Sequence, residues 1–233
     1  MAGAEAALNA AASSGLTSER VRARMVDRIR ELGVNEPRVL AAMQRIERHR
    51  FVDATLASRA YEDTALPLGF GQTISQPYIV ARCAELALAG AADPKNARVL
   101  EVGTGCGYAA AVLSELFGAV FSIERVRALH ESARANLRQL RIANLRLVFG
   151  DGMLGLLSEA PFAAIISTAA SGDAPPAWIE QLAPDGVIVA PLGRNSQVLT
   201  VLSRSPEGHI VRREREPVRF VPLLQGTVNL DSR

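Results

Sequence analysis

Residues 98–107 read RVLEVGTGCG, and this stretch decides the fold. Arg98–Val102 is a short apolar run of strand length that passes directly into Gly103, Thr104, Gly105, Cys106 and Gly107. An apolar helix is expected over 108–117. Strand, glycine turn and helix in direct succession open a parallel α/β unit, because glycine lets backbone N–H groups approach a ligand at a helix N-terminus. The alternation continues downstream. Residues 120–123 form a second strand, followed by a helix with Leu129, Ala133, Leu137 and Leu140 on one face. Residues 145–149, 164–167 and 187–190 read as three more strands, with a short helical stretch around 178–182 before the last. Strands alternating with helices imply a doubly wound, mostly parallel Rossmann-like α/β sheet. Residues 198–202 and 218–223 are expected to add antiparallel strands at one edge.

Upstream lies a helical lead-in. Val21, Met25, Ile29 and Leu32 recur at helical spacing, closed by Gly33. A second helix has Asn35 as its expected cap, Pro37 in its first turn and Val39, Leu40, Met43 and Ile46 on one face. Residues 66–77, LPLGFGQTISQP, carry two glycines and two prolines and are expected to form an irregular loop. Pro77 then opens a helix that ends at Gly90. The organisation expected is an Ala-rich disordered tail over 1–16 and a single domain over 17–233, split into a helical lead-in and substrate loop (17–92) and a cofactor-binding core (93–233). Composition narrows the function classes. The 233 residues are 48% hydrophobic and 21% charged, with a net charge of +2, so no strong field draws the chain to nucleic acid or a membrane. Cys83 and Cys106 are the two cysteines, without a Cys/His cluster, so neither a disulfide scaffold nor a zinc site is expected. A cytoplasmic protein is the default reading.

Three carboxylates stand where the strands of such a sheet end. Glu101 lies on the first strand, Glu124 ends the second about 20 residues after the first glycine, and Asp151 follows the third in Gly150-Asp151-Gly152. On that plan Glu124 accepts ribose hydroxyls and Asp151 an adenine amino group. Alone, the glycine turn also reads as a tight strand–helix connection and Glu124 or Asp151 as a helix cap; together they point to an adenosine-bearing cofactor. The dinucleotide pattern GxGxxG would need a third glycine at Tyr108, which is absent. An acid beside the turn repels a pyrophosphate and suits a cation, which favours S-adenosylmethionine. His49, His130 and His209 are scattered, so no general base is evident. A carboxylate acceptor would need none, being ionised at neutral pH. Thr73 and Ser75 are the hydroxyls available to hold it, although spacing alone slightly favours turn and cap roles for both.

Residues 66–81 (LPLGFGQTISQPYIVA), 99–107 (VLEVGTGCG), Gly150 to Gly152 and 218–223 (VRFVPL) together resemble the protein-L-isoaspartate O-methyltransferase family. Residues 48–52 (RHRFV), 160–162 and 168–170 add to the likeness, which runs from about 16 to 228. The resemblance implies a class I methyltransferase that moves a methyl group from S-adenosylmethionine to the free α-carboxylate of L-isoaspartyl residues. The ester returns to aspartate through a succinimide, so the implied role is protein repair. By the same likeness Ser75 is the active-site serine, with Thr73, the backbone around Ile74, Val218 and Arg219 at the substrate. Glu101, Gly103, Thr104, Gly105, Glu124, Asp151 and Gly152 are implied at the cofactor, and no metal. Damaged proteins and peptides are the implied partners of a monomer. Three positions depart from the family pattern: Cys106 replaces a common serine and implies sensitivity to oxidation, Glu47 replaces a proline, and Ala163 an aspartate. An RNA or small-molecule methyltransferase, a cofactor-binding protein without activity and a dehydrogenase are the competing readings.

Overall fold

The computed structural model describes residues 18–205 and 208–229; the expected tail over 1–16 lies outside them. Helix α1 (Glu19–Glu31) buries Met25, Val26 and Ile29, and Gly33 ends it with a positive φ of 105°. Helix α2 (Pro37–Arg45) buries Val39, Leu40, Ala42 and Met43. Its cap is Glu36 and not Asn35: the Glu36 side chain accepts the Arg38 amide at 3.1 Å.

Residues 66–77 are more ordered than their composition suggests. β1 (Leu66–Gly69) and β2 (Gln72–Ile74) pair antiparallel as a tight hairpin. Phe70 and Gly71 form its turn with φ of 53° and 69°, the doubly positive geometry that matches the twist of paired strands. The glycines that argued for a loop are what make the hairpin possible. Helix α3 (Pro77–Ala89) follows, with Val80, Ala81, Ala84 and Ala87 buried.

The main sheet contains β3 (Arg98–Val102), β4 (Ala119–Glu124), β5 (Leu145–Phe149), β6 (Phe162–Ser167), β7 (Leu182–Leu192), β8 (Gln197–Arg204) and β9 (Ile210–Val218), in spatial order β5-β4-β3-β6-β7-β8-β9. The five strands from β3 to β7 are parallel, and β8 and β9 extend the sheet antiparallel. Helices α4 (Tyr108–Leu116), α5 (Arg127–Arg138) and α6 (Pro176–Glu180) complete the crossovers. Strand periodicity sorts the core into two layers. Val99, Ala164, Ile166, Val187, Val189, Leu199 and Val201 pack on one face with α1 to α4. Leu100, Val102, Ile165, Ile188 and Ala190 pack on the other with Trp178. Trp178 is fully buried and its indole donates to Gly152 O at 2.8 Å.

The edge differs from expectation at one place. The last strand is Ile210–Val218, so of residues 218–223 only Val218 belongs to it. Pro222 cannot donate to a ladder, and the chain instead turns across the strand ends. There Ala170 donates to Val221 O at 2.8 Å and accepts the Leu223 amide at 2.7 Å.

Candidate active site

The sheet reverses its winding beside β3, where open α/β sheets bind ligands. The Gly103 and Thr104 amides donate to Ile123 O at 2.9 and 3.2 Å, tying the turn to β4. Gly103 has φ +98°, and a Cβ built on it would overlap the Thr168 hydroxyl. Thr168 Oγ1 donates to Gly103 O at 2.7 Å, so the two residues lock each other. Glu124 holds the turn from the next strand. Its Oε2 accepts the Gly105 amide at 2.9 Å and its Oε1 the Val126 amide at 2.8 Å. Burial raises the Glu124 carboxyl above its ordinary value, and these backbone donors oppose the rise.

These residues wall a groove of about 650 Å³ that Gly103, Gly105, Glu124, Gly152, Thr168 and Thr73 all line. Its far side is a strap, residues 221–224. The strap continues to Gly226, whose amide donates to Asp151 Oδ2 at 2.6 Å, and to Val228, which pairs with Arg125 and Arg127. Asp151 Oδ1 accepts the Met153 amide at 2.9 Å. Both Asp151 oxygens thus meet backbone amides, and its neighbour Gly152 lines the groove.

Glu101 points to the face of the sheet covered by α3 and α4. It is 0% exposed, Ser122 donates to its Oε2, and its Oε1 has no partner among the described residues. Thr104 joins this buried network through Ser122 Oγ at 2.6 Å. Burial pushes the Glu101 carboxyl up to about 8, despite the Ser122 hydrogen bond. Glu101, Thr104, Gly103, Thr73, Ile74 and Ser75 all line a small cavity of about 290 Å³. An acid whose pKa rises on folding adds full stability below its ordinary 4.5 and loses it as pH climbs toward 8. Glu101→Gln, which cannot ionise, should therefore make the ligand-free protein more stable at pH 9, by on the order of 3–5 kcal/mol. The gain should vanish near pH 4, as read by denaturant unfolding across pH; equal gains at both values would refute it.

On the other side of Thr73 and Thr168 opens a cleft of about 900 Å³, lined by Ser75, Gln76, Ile79, Val218, Arg219 and Phe220. Arg219 has no ion-pair partner among the described residues. Neither the Ser75 nor the Thr73 hydroxyl has a hydrogen-bond partner among the described residues, so both are available to a ligand. Ile74 is buried and faces only the small cavity, leaving its backbone for any wider role. Thr73 and Thr168 line groove, cleft and small cavity alike, so they stand where the three spaces meet. Sequence reasoning read 168–170 only toward the family likeness and 218–223 as an edge strand and part of that likeness, and assigned no site role to Thr168 or to residues 221–224. His49 is engaged by Tyr61 Oη at 2.7 Å, and none of the three histidines lines these spaces.

Residues 20–228 match the family model described as Protein-L-isoaspartate(D-aspartate) O-methyltransferase (PCMT). The chain belongs to this family. It is 52% identical over 213 residues to the protein-L-isoaspartate O-methyltransferase of Dechloromonas aromatica, covering 91% of this chain and 97% of that one. The Burkholderia vietnamiensis enzyme of the same name is 53% identical over 221 residues, covering 94% and 71%. A solved protein-L-isoaspartate O-methyltransferase superposes with a TM-score of 0.78 at 28% identity, over 89% of this chain and 67% of that one. A Plasmodium falciparum structure assigned to the same family, solved with S-adenosyl-L-homocysteine, gives a TM-score of 0.75 at 21% identity over 86% and 97%. The fold likeness spans lead-in and sheet together. Among the departures from the family pattern, Glu47 pairs with Arg22 at 2.9 Å, and Ala163 sits within β6. Cys106 is buried, which pushes its thiol up to about 11. A thiol that stays protonated and covered reacts slowly with oxidants, contrary to the sensitivity expected of it.

Proposed function

We infer that this protein is an S-adenosylmethionine-dependent methyltransferase that esterifies the free α-carboxylate of L-isoaspartyl residues in damaged proteins and peptides. Family membership over residues 20–228 carries the reading. The residues present fit the cofactor. The buried, unpartnered Glu101 oxygen suits a cationic amino acid end, Gly103 and Gly105 line groove and small cavity with backbone alone, and Glu124 stands at the groove wall for the ribose. Thr104 lines the small cavity beside Glu101, Asp151 supports the groove from behind by the bonds described above, and Gly152 closes it. When bound, S-adenosylmethionine supplies an electrophilic methyl group.

The chain's own contribution is placement. An α-carboxylate is ionised at neutral pH, so no base is required, and none faces the cleft. Ser75 and Thr73 offer hydroxyl donors at the mouth of the small cavity, where a carboxylate can be held facing the cofactor groove. Val218 and Arg219 form the opposite wall, the latter with a charge that attracts a carboxylate. Methyl donor and carboxylate would meet beside Thr73 and Thr168, which line groove, cleft and small cavity alike. The ester closes spontaneously to a succinimide as the following backbone amide nitrogen displaces methanol; water then reopens the ring in part as aspartate, and repeated cycles complete repair.

Among the described residues no helix is long and apolar enough to cross a membrane. We place the enzyme in the cytoplasm as a monomer that needs no nucleic acid. Ser75→Ala should lower methylation of an isoaspartyl peptide by about 10- to 100-fold, the value of one or two lost hydrogen bonds in the transition state. Affinity for S-adenosylhomocysteine should fall far less, since Ser75 lies outside the groove and meets the cofactor's space only at the small cavity. Equal losses in both would remove Ser75 from the substrate side.

A further inference from the structure

Helix α3 begins two residues after Ser75, so whatever fixes its first turn fixes the serine. Gln76 occupies the cap position, yet its side chain caps nothing. The cap comes from a residue upstream of the hairpin. Asp63 Oδ1 accepts the Tyr78 amide at 2.8 Å, and its Oδ2 accepts Gln76 Nε2 at 2.8 Å. A carboxylate so placed satisfies an orphan donor and complements the positive helix end. Its two bonds grip residues on the chain just beyond Ser75.

Asp63 is itself held in place. Arg48 is 0% exposed, and it donates from Nε to Ala60 O at 2.7 Å and from Nη2 to Thr64 O at 3.4 Å. These two carbonyls bracket Asp63 in the chain. The Arg48 guanidinium lies over the Tyr108 ring, 5.0 Å from its centroid, and makes no ion pair among the described residues. Tyr108 opens α4 directly after the glycine turn and lines the small cavity with Ser75 and Glu101. A buried cation supported by carbonyls and a ring face is costly, and here it stands between Tyr108 of α4 and the segment that carries Asp63. Contacts therefore run from the glycine turn through Tyr108 and Arg48 to the backbone on either side of Asp63, and from the Asp63 carboxylate to Gln76 and Tyr78 just beyond Ser75.

Resting on the function inferred above, we propose that Asp63 is a positioning residue for methyl transfer: it sets Ser75 against the cofactor turn, with Arg48 as its buried anchor. Asp63 lines neither the groove nor the cleft, so it acts through Ser75 and not on substrate. The test compares Asp63→Ala, Asp63→Asn and Asp63→Glu in steady-state methylation of an isoaspartyl peptide, with S-adenosylhomocysteine titrated in parallel. Asparagine can accept the Tyr78 amide and pair with a flipped Gln76 amide, so it should keep kcat within about threefold. Alanine should lower kcat at least tenfold with the homocysteine compound bound as before. Glutamate, which keeps charge and acceptors but displaces them by a methylene, should lower kcat comparably, so the test survives poor folding of the alanine variant. In a Ser75→Ala background, Asp63→Ala should add less than a threefold further loss. Full kcat in Asp63→Ala and Asp63→Glu, an equal fall in S-adenosylhomocysteine affinity, or full additivity with Ser75→Ala would each overturn the proposal alone. A parent protein that methylates no isoaspartyl peptide would overturn the functional reading, and this proposal with it.

Discussion

Alanine at position 103 is expected to abolish detectable methylation and to weaken S-adenosylhomocysteine binding at least 100-fold. Two separate penalties fall on the same atom. Gly103 has φ +98°, where any side chain is strained at a cost on the order of 1–3 kcal/mol. The added methyl also overlaps the Thr168 hydroxyl, which is not free to swing away. Its Oγ1 holds Gly103 O at 2.7 Å, and the Thr168 amide holds Val102 O at 2.9 Å. Either the turn or Thr168 must shift, and both line the groove and the small cavity. Calorimetric titration and thermal melting give the two readouts. Thr168→Ala in the same chain removes the overlapping oxygen, so the double variant should regain part of the lost stability while the backbone strain remains. Binding within threefold of the parent in Gly103→Ala would show that the turn does not form the cofactor surface.

Glu124→Gln is expected to be nearly as damaging to the cofactor, although it changes one atom. The two carboxylate oxygens accept from two different amides, Gly105 and Val126, at 2.9 and 2.8 Å. Glutamine offers one oxygen, so its NH2 group must face a backbone N–H whichever way it turns. A buried donor against a donor costs about 1–3 kcal/mol, and the turn loses one of its ties. The groove also loses the acceptor placed for a ribose. Affinity for S-adenosylhomocysteine should fall about 100-fold, while kcat at saturating S-adenosylmethionine should fall far less, because Glu124 does not line the cleft holding Ser75. An unchanged dissociation constant would contradict the assignment of the groove.

What the sequence disclosed and what it concealed divide along chain separation. β3, the glycine turn and α4 are contiguous, so one strand, one turn and one helix signal sufficed to place them. Glu124 was legible because strand ends align at one sheet rim in any parallel fold. The hairpin was concealed since glycine and proline report a break in regular structure, and only the φ values of Phe70 and Gly71 turn that break into paired strands. Asn35 yielded to Glu36 as a cap, a shift of one residue that propensity alone does not resolve. The strap was illegible for a different reason. Its partners Ala170, Asp151 and Arg125 lie far upstream, with Gly226 and Asp151 separated by 75 residues, and no local pattern encodes such pairs. The same distance hid the capping of α3 by Asp63 and the isolation of Glu101. Glu101 was expected as an acid at the rim facing a cation; its complete burial pushes the carboxyl up to about 8 and so favours the neutral form.

The most direct measurement offers methyl-labelled S-adenosylmethionine to the protein with two peptides that differ only in carrying isoaspartate or aspartate at one position. Base-labile label on the isoaspartyl peptide alone is the expected result, because the ester linkage, the donor and the acceptor are then established together. Label on both peptides would mean a general carboxyl methyltransferase. Label on neither, with S-adenosylhomocysteine still bound, would leave the cofactor groove intact and contradict protein repair.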